Sequence, residues 1–281
     1  SYRKLVIKRL GRIIIPRMIF MDIDGTLVDR DQQISPRTRS VVTELQQEGH
    51  EFYVATGRKY SSAYEMAKKL TDATQVIASN GSVYSINETL HKKRLSDAAL
   101  EFIYQTMSVH DLPMFFFGEH TIFYTQQLPS YLQKNDQSRI GNSEEDFLFI
   151  DSLETLMAIR QRIINGIVIA DEREAELEQV CKILEESHLL SVSSSHPNNL
   201  ELIPLGVNKA TAIQAVQNNL VIPQKNIISF GDGMNDLEML QASGISVAMG
   251  NAVAELKKHA KFITDTNVED GIANFLIDYF S

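Results

Sequence analysis

The sequence predicts an α/β fold in which a doubly wound, Rossmann-like parallel sheet forms the core and an α+β domain is inserted into it. At both ends of the chain, short apolar runs alternate with helical patterns, which is typical of parallel strands covered by helices on both faces. Between these ends, longer helical patterns and separate strand patterns replace the alternation. At 281 residues the chain also exceeds the usual size of one domain, so we expect two domains.

The core domain is predicted to be discontinuous in sequence. Its first segment holds three short apolar runs, and its second segment repeats the alternation of helices and strands from Lys209 onward. The changed pattern between the two segments marks the inserted domain. We therefore predict a basic N-terminal extension at residues 1–17, a core domain at residues 18–87 and 196–281, and an α+β domain at residues 88–195.

Composition and charge argue against several classes of protein. The net charge is -9 although residues 1–17 contain six basic residues and no acidic one, so the rest of the chain is acidic and repels nucleic acid. No run approaches the roughly 18 consecutive apolar residues that a membrane-spanning helix needs. The single cysteine, Cys181, excludes an internal disulfide and fits a reducing compartment. We expect a cytoplasmic protein that binds neither nucleic acid nor membranes.

The first predicted strand ends at a pair of acids. Asp22 and Asp24 follow the strand, and Gly25 permits the sharp turn that comes next. In such a pair, one carboxylate can attack an electrophile while the other exchanges a proton with the leaving group. Two acids at this spacing are also common as solvated groups or as part of a turn, so the pair needs support from the other strand ends.

The next two strand ends carry small polar residues. Thr56, Gly57 and Arg58 follow the second strand, where a hydroxyl and backbone N–H groups at a helix start can hold phosphoryl oxygens. Thr56 alone is alternatively an N-cap. Asn80 and Gly81 follow the third strand, where a tight turn is the alternative to a site. We take Gly57, Arg58, Asn80 and Gly81 as candidate substrate-binding residues.

The second core segment supplies a lysine and a further acidic group. Lys209 lies near the start of a helix, where the helix dipole disfavours its charge unless an anion lies nearby. Asp232, Asn235 and Asp236 follow the fourth strand, and glycines flank Asp232. Three oxygen-bearing side chains this close together suit Mg²⁺. For Asp236 taken alone, an N-cap in a turn is the alternative interpretation.

The order and spacing of these groups resemble the four motifs of the haloacid dehalogenase superfamily of phosphohydrolases. The motifs are Asp22-x-Asp24-Gly25-Thr26, Thr56, Lys209 and Gly231-Asp232-Gly233-Met234-Asn235-Asp236. Three further runs resemble the Cof-type branch of that superfamily: Asn80-Gly81, Leu200–Pro204 and Met249–Ala252. That branch has an α/β cap domain between the second and third motifs, which is where the inserted domain is predicted.

The resemblance implies a phosphatase that works through an aspartyl phosphate. By this resemblance Asp22 attacks phosphorus, and Asp24 protonates the leaving oxygen and then deprotonates the water that releases phosphate. Thr56 and Lys209 complete the catalytic set that the resemblance implies.

Mg²⁺ is the cofactor that the resemblance implies. Its expected ligands are the Asp22 carboxylate, the backbone carbonyl of Asp24, and Asp232. Asn235 and Asp236 are expected to support the metal shell and Lys209.

The expected substrate is a small phosphomonoester, either a sugar phosphate or a phosphorylated cofactor such as FMN or pyridoxal phosphate. We expect a monomer or a weak homo-oligomer.

A phosphomutase or phosphotransferase needs the same motifs and is the nearest alternative. A binding or signalling module phosphorylated on Asp22 is a second alternative, against which the neighbouring general base Asp24 argues. An Asp-x-Asp glycosyltransferase is a third, and it leaves Thr56 and Lys209 unexplained.

Overall fold

The computed structural model describes residues 7–9, 12–126, 146–194 and 197–281. The chain divides into two compact units. The first unit comprises residues 1–57, 63–91 and 208–281, and the second comprises residues 58–62 and 92–207. Each unit contains its own β-sheet, and the α/β class predicted from the sequence is confirmed.

Strands occur along the whole described chain and are numbered here in sequence order. They are β1 (Ile7–Arg9), β2 (Arg12–Ile14), β3 (Met18–Met21), β4 (Glu51–Ala55), β5 (Gln75–Ala78), β6 (Val83–Ile86), β7 (Thr89–Lys92), β8 (Met114–Phe117), β9 (Thr121–Tyr124), β10 (Asp146–Phe149), β11 (Asn165–Ile169), β12 (Leu190–Ser193), β13 (Asn199–Pro204), β14 (Ile227–Gly231), β15 (Ile245–Ala248) and β16 (Phe262–Ile263).

Helices connect most of these strands. They are α1 (Pro36–Gln47), α2 (Tyr60–Leu70), α3 (Asp97–His110), α4 (Leu153–Ala158), α5 (Glu174–Glu186), α6 (Lys209–Leu220), α7 (Leu237–Gln241), α8 (Ala254–His259) and α9 (Gly271–Phe280). Side chains cap the starts of α1, α3, α4 and α6; at α1, Ser35 accepts from the Thr38 N–H and Pro36 occupies the first turn. Within the described residues, no helix is long and apolar enough to cross a membrane.

The sheet of the first unit has the strand order β16-β15-β14-β3-β4-β5-β6-β7. From β16 to β5 the paired strands are parallel, and the central strands are buried along almost their whole length because parallel sheets are covered on both faces. β6 then runs antiparallel to β5. The chain leaves β3 toward β4 and returns on the other side through β14. The strand order therefore reverses between β3 and β14, and open sheets of this kind bind ligands at the carboxyl ends of such strands.

The sheet of the second unit has the order β10-β9-β8-β11-β13-β12. Its neighbouring strands are antiparallel except for β9 and β10, which are parallel. Alternate side chains of this sheet form a hydrophobic core with α3, α4 and α5. That core includes Leu100, Ile103, Phe116, Phe123, Leu156, Val168, Val180, Leu184 and Leu202.

The boundary between the units differs from the predicted one. The sequence predicted that the core resumes at residue 196, but the first unit resumes at Asn208. The reason is β13, which pairs with β11 and β12 and therefore lies in the sheet of the second unit. A buried strand directly before the helix of Lys209 has the local pattern of a core strand, and its partners are visible only in three dimensions.

The predicted basic extension at residues 1–17 contains the two strands β1 and β2. β1 pairs with β2 in an antiparallel arrangement that places Ile7 opposite Ile14. Residues 1–6, 10 and 11 lie outside the described part of the chain.

A cluster around His50 closes the first unit at the amino ends of β3 and β4. The His50 Nδ1 accepts a hydrogen bond from the Arg17 N–H at 3.0 Å, and its ring packs on Phe280 with centroids 4.5 Å apart. Arg17 also donates from its Nη1 to the Asn226 Oδ1 at 2.6 Å. Burial, with a smaller effect of the Arg17 charge, lowers the pKa of His50 to about 4. His50 is therefore neutral in the folded protein at neutral pH.

We predict that His50→Asn makes the free energy of unfolding less sensitive to pH. In the wild type the folded pKa of His50 is about 4, below the ordinary value of 6.5, so the unfolded chain takes up a proton first and stability is lost as the pH falls from 6.5 to 4. One such proton gives a slope of at most about 1.4 kcal/mol per pH unit. Urea unfolding of both proteins between pH 4.5 and 7.5 measures this difference. Identical slopes in the two proteins would show that His50 titrates normally in the folded state.

Candidate active site

Asp22 and Asp232 leave the sheet of the first unit side by side. Asp22 directly follows β3, and its N–H donates to the Phe230 carbonyl of β14 at 3.1 Å. β14 ends at Gly231, so Asp232 emerges at the same sheet edge. This edge is the point at which the strand order reverses. The sequence prediction that both acids follow parallel strands is thus realised at the position where such sheets bind ligands.

Lys209 joins Asp22 to Asp236 by two short ion pairs. Its Nζ lies 2.6 Å from the Asp22 Oδ1 and 2.6 Å from the Asp236 Oδ1. The lysine side chain is only 1% exposed. Burial alone would lower the pKa of Lys209, but the Asp22 and Asp236 carboxylates raise it above its ordinary value. The lysine is therefore a permanent cation held between two anions.

The start of α6 is fixed by two features that aim Lys209 into the site. The Asn208 side chain accepts from the Thr211 N–H as an N-cap, and the Thr211 hydroxyl accepts from the Asn208 N–H. Gly81 has a φ of +96°, and a Cβ there would lie 2.1 Å from the Asn208 carbonyl oxygen. Only glycine allows the turn at Ser79–Gly81 to approach the helix start so closely.

Asn80 lies in the same turn. It is buried with a φ of 52°, and its N–H donates to the Thr56 carbonyl at 3.0 Å. The structure thus brings Asn80 and Gly81 to the elements that carry Thr56 and Lys209. Substrate contact by either residue remains a prediction.

Asp236 is fully engaged by the protein. Its Oδ1 accepts from Lys209, and its Oδ2 accepts from the backbone N–H groups of Asp232 at 3.0 Å and Gly233 at 3.2 Å. These bonds fix the loop after β14 to Lys209. Asn235 is half-buried in the adjoining turn at Met234–Asp236, and its supporting role remains a prediction.

Asp232 is oriented by the turn that follows Asp22. The Thr26 hydroxyl donates to the Asp232 Oδ1 at 2.8 Å. Gly25 has a φ of +80°, and a Cβ on it would lie 2.3 Å from the Asp232 Oδ2, so no larger residue fits. Burial and the neighbouring Asp236 carboxylate raise the pKa of Asp232 to about 6, although Thr26 and Lys209 lower it. No role was predicted for Thr26 from the sequence. The only indication of one was its place in the Asp-x-Asp-Gly-Thr run.

Asp24 differs from Asp22 in its environment. Its residue is exposed, whereas Asp22 is buried. The Gln32 side-chain amide donates to the Asp24 Oδ1 at 3.3 Å, a contact that sequence reasoning did not anticipate. An exposed carboxylate two residues from a buried one is able to exchange protons with water.

Thr56 lies at the carboxyl edge of the neighbouring strand. Since Met21 lies opposite Val54, Asp22 and Thr56 leave β3 and β4 at the same sheet edge. Thr56 is buried, and its N–H donates to the Ile77 carbonyl at 3.0 Å. Gly57 is the last residue of the first segment of the first unit, residues 1–57. Arg58 belongs to the second unit, so its part in the site remains a prediction, as does that of Gly57.

Three carboxylates in the described part of the chain are close enough to share a cation. One oxygen from each of Asp22, Asp232 and Asp236 lies within 4.8 Å of the others. Because Asp236 already accepts from three groups, Asp22 and Asp232 are the more suitable ligands. Burial raises the pKa of Asp22 well above its ordinary value; Lys209 opposes this rise, and the three nearby carboxylates add to it. The excess of negative charge and the all-oxygen donor set fit a hard divalent cation such as Mg²⁺.

The chain is similar to known proteins over nearly its whole length. A family model described as haloacid dehalogenase-like hydrolase matches residues 19–276. The chain is 29% identical over 259 residues to the 5-amino-6-(5-phospho-D-ribitylamino)uracil phosphatase YcsE of Bacillus subtilis (strain 168), with 92% of this chain and 93% of that protein covered. It is 28% identical over 273 residues to YitU of the same strain, which carries the same phosphatase description, with 95% and 98% covered.

A solved structure of the same family has a similar fold. It is a haloacid dehalogenase-like hydrolase from Bacteroides thetaiotaomicron, with a TM-score of 0.80 and 26% sequence identity. The match covers 95% of this chain and 100% of that one. The similarity therefore extends over both units of the chain.

We predict that Lys209→Met lowers the free energy of unfolding at pH 7.5 by about 3–5 kcal/mol, because it leaves two buried carboxylates without their shared cation. Adding Asp236→Asn to Lys209→Met removes one of these charges and should restore part of the loss. Urea unfolding in the presence of a chelator measures both variants. Lys69→Met is the matched control, because Lys69 forms only an exposed ion pair with Glu65 and its loss should cost less than about 1 kcal/mol. Equal losses in Lys209→Met and the control would contradict the prediction.

Proposed function

Because this chain belongs to the haloacid dehalogenase-like hydrolase family and is a phosphatase, we propose that it hydrolyses small phosphomonoesters through an aspartyl phosphate on Asp22, with Mg²⁺ as its cofactor. The observation that carries the proposal is the buried Lys209, which bonds to both Asp22 and Asp236 at the carboxyl edge of the sheet. A carboxylate held this way, with Asp232 and Asp24 nearby, suits attack on a phosphoryl group.

In the first step an oxygen of the Asp22 carboxylate forms a bond to phosphorus while the bond from phosphorus to the leaving oxygen breaks. Asp24 donates its proton to that leaving oxygen, so the alcohol departs neutral. Lys209 keeps the Asp22 carboxylate oriented through the 2.6 Å contact. Because the lysine is itself fixed by Asp236, little reorganisation is needed when the bond forms.

In the second step Asp24 takes a proton from a water molecule, and the water oxygen bonds to phosphorus. The bond between phosphorus and the Asp22 oxygen breaks, which releases inorganic phosphate and regenerates the carboxylate. The exposed position of Asp24 suits both steps, since the group must meet the leaving oxygen first and water afterwards. Thr56 and the N–H groups that follow it are proposed to hold the phosphoryl oxygens.

The carboxylates of Asp22 and Asp232 would hold Mg²⁺, together with the backbone carbonyl of Asp24. When bound, the ion supplies positive charge that offsets the repulsion between these carboxylates and a phosphate dianion. Asp236 is assigned a supporting role because its oxygens accept from Lys209 and from two backbone N–H groups.

The proposed substrates are sugar phosphates and phosphorylated cofactors such as FMN or pyridoxal phosphate. YcsE and YitU are described as acting on a ribitylamino-uracil phosphate. That compound and FMN both carry a terminal phosphate on a ribityl chain, so this group is the first to test.

A cytoplasmic location and a monomeric or weakly oligomeric state are also part of the proposal. The single cysteine, Cys181, is compatible with that location.

We predict that the protein releases phosphate from one or more members of a panel of sugar phosphates, ribityl phosphates and pyridoxal phosphate, and that Asp22→Asn abolishes release. The amide is a much weaker nucleophile of the same size, so binding should survive while turnover is lost. Phosphate release with Mg²⁺ and with a chelator measures the rates. Turnover by Asp22→Asn near the wild-type rate would exclude the aspartyl-phosphate mechanism. Transfer of phosphate to an added alcohol without release would favour a phosphotransferase.

We predict that Mg²⁺ raises the melting temperature more at pH 7.5 than at pH 5. The raised pKa of Asp232, about 6, means that protons compete for this ligand below that pH. At pH 7.5 and a Mg²⁺ concentration one hundred times its dissociation constant, binding raises the free energy of unfolding by about 2.7 kcal/mol. Asp232→Asn should abolish the shift, whereas Asp278→Asn, which changes an exposed acid of α9, should preserve it. A shift of equal size in Asp232→Asn would remove Asp232 from the metal site.

A further inference from the structure

The turn that carries Asp24 is built around a single backbone carbonyl. The Ile23 oxygen accepts from the N–H groups of Thr26 at 3.3 Å, Leu27 at 2.9 Å and Val28 at 3.1 Å. This arrangement pairs the N–H groups of the second half of the turn. The carbonyls of Gly25 and Val28 accept further hydrogen bonds from side chains elsewhere in the chain.

Two asparagines far along the chain supply those donors. The Asn251 side-chain amide donates to the Gly25 carbonyl at 2.8 Å, and the Asn267 side-chain amide donates to the Val28 carbonyl at 2.7 Å. The Asn267 N–H in turn donates to the Asn251 Oδ1 at 3.0 Å. We call this pair, Asn251 and Asn267, the asparagine clasp. It connects the loops after β15 and β16 to two points of the turn, Gly25 and Val28.

The loops that carry the clasp are themselves fixed to each other. The Gly250 N–H donates to the Asp265 carbonyl at 3.0 Å, and the Lys257 Nζ donates to the Gly250 carbonyl at 2.5 Å. A Cβ on Gly250 would lie 2.9 Å from the Thr266 nitrogen, so the two backbones are in close contact. The clasp therefore joins the turn to two loops that are hydrogen-bonded to each other.

We infer that Asn251 and Asn267 are positioning residues for Asp24, an inference that rests on the proposed function and extends it. Gly25, with its φ of +80°, is the most adaptable point of the turn and lies next to Asp24. The bond from Asn251 to the Gly25 carbonyl fixes the peptide between Gly25 and Thr26, one residue beyond Asp24. Neither asparagine touches the reacting atoms in this assignment; they set the place from which Asp24 delivers its proton.

The effect of a misplaced Asp24 on the rate depends on the leaving group. An alkoxide leaves phosphorus slowly unless it is protonated as it departs, whereas para-nitrophenolate leaves readily as an anion. General acid catalysis contributes about 10²- to 10⁴-fold, and a displacement of about 1 Å removes much of such an effect. A misplaced Asp24 should therefore slow the hydrolysis of an alkyl phosphate far more than that of para-nitrophenyl phosphate.

The experiment compares kcat/KM for these two substrates, since this constant reports the step in which the leaving group departs. In Asn251→Ala and Asn267→Ala, we expect the value for an alkyl phosphate to fall about tenfold or more and the value for para-nitrophenyl phosphate to fall less than about threefold. Asn251→Asp keeps the acceptor for the Asn267 N–H but loses the donor to Gly25. It should therefore behave like Asn251→Ala although it preserves the size of the side chain.

Asn226→Ala is the matched control for stability. It removes an asparagine that accepts from Arg17 at the opposite end of the strands, without touching the turn. It should leave the ratio of the two kcat/KM values unchanged. Equal losses for both substrates in the clasp variants, or the same change of ratio in Asn226→Ala, would overturn the inference.

Asp24→Asn separates the inference from the proposed function. If Asp24→Asn shifts the ratio strongly and the clasp variants do not, the positioning role is wrong and the mechanism stands. If Asp24→Asn leaves the ratio unchanged, the proposed acid is wrong, and the positioning role fails with it.

Discussion

The buried ammonium group of Lys209 is the interaction on which the geometry of the site depends. A charge that is 1% exposed is tolerated only when opposite charges and hydrogen bonds replace its lost water, and Asp22 and Asp236 do this at 2.6 Å each. The need to surround this charge also constrains the residues next to Asp22 and Asp236. Asp236 must keep both oxygens engaged, so the loop after β14 is fixed in turn, and the start of α6 must point its first residue inward.

Close backbone contact makes this arrangement possible. A Cβ on Gly25 would collide with the Asp232 carboxylate, one on Gly81 with the Asn208 carbonyl, and one on Gly231 with the Asp236 side chain at 2.6 Å. In each case a glycine lets one strand end or turn approach the group that another element supplies. The charged residues provide the chemistry of the site, and these three glycines allow the charged residues to meet.

The sequence was most informative where the physical signal is local. Parallel strands buried on both faces appear as short apolar runs, so β3, β4 and β14 were predictable, and Asp22 and Asp232 follow directly after such runs. β13 was assigned to the core segment because its pattern does not reveal its partners, β11 and β12. The bonds from Thr26 to Asp232 and from Asn251 to Gly25 join residues more than 200 positions apart, and no periodicity or spacing encodes such pairs.

The separation of roles that we propose for Asp22 and Asp24 follows from burial. They are two residues apart, yet the fully buried Ile23 between them places one carboxylate inside the sheet edge and the other in solvent. A buried carboxylate fixed by Lys209 is shielded from water and suited to attack, whereas an exposed one can gain and lose a proton within each cycle. An exposed group is also harder to hold in place by packing. The positioning role that we infer for the asparagine clasp meets this need, because its hydrogen bonds to the backbone of the turn leave the Asp24 side chain accessible.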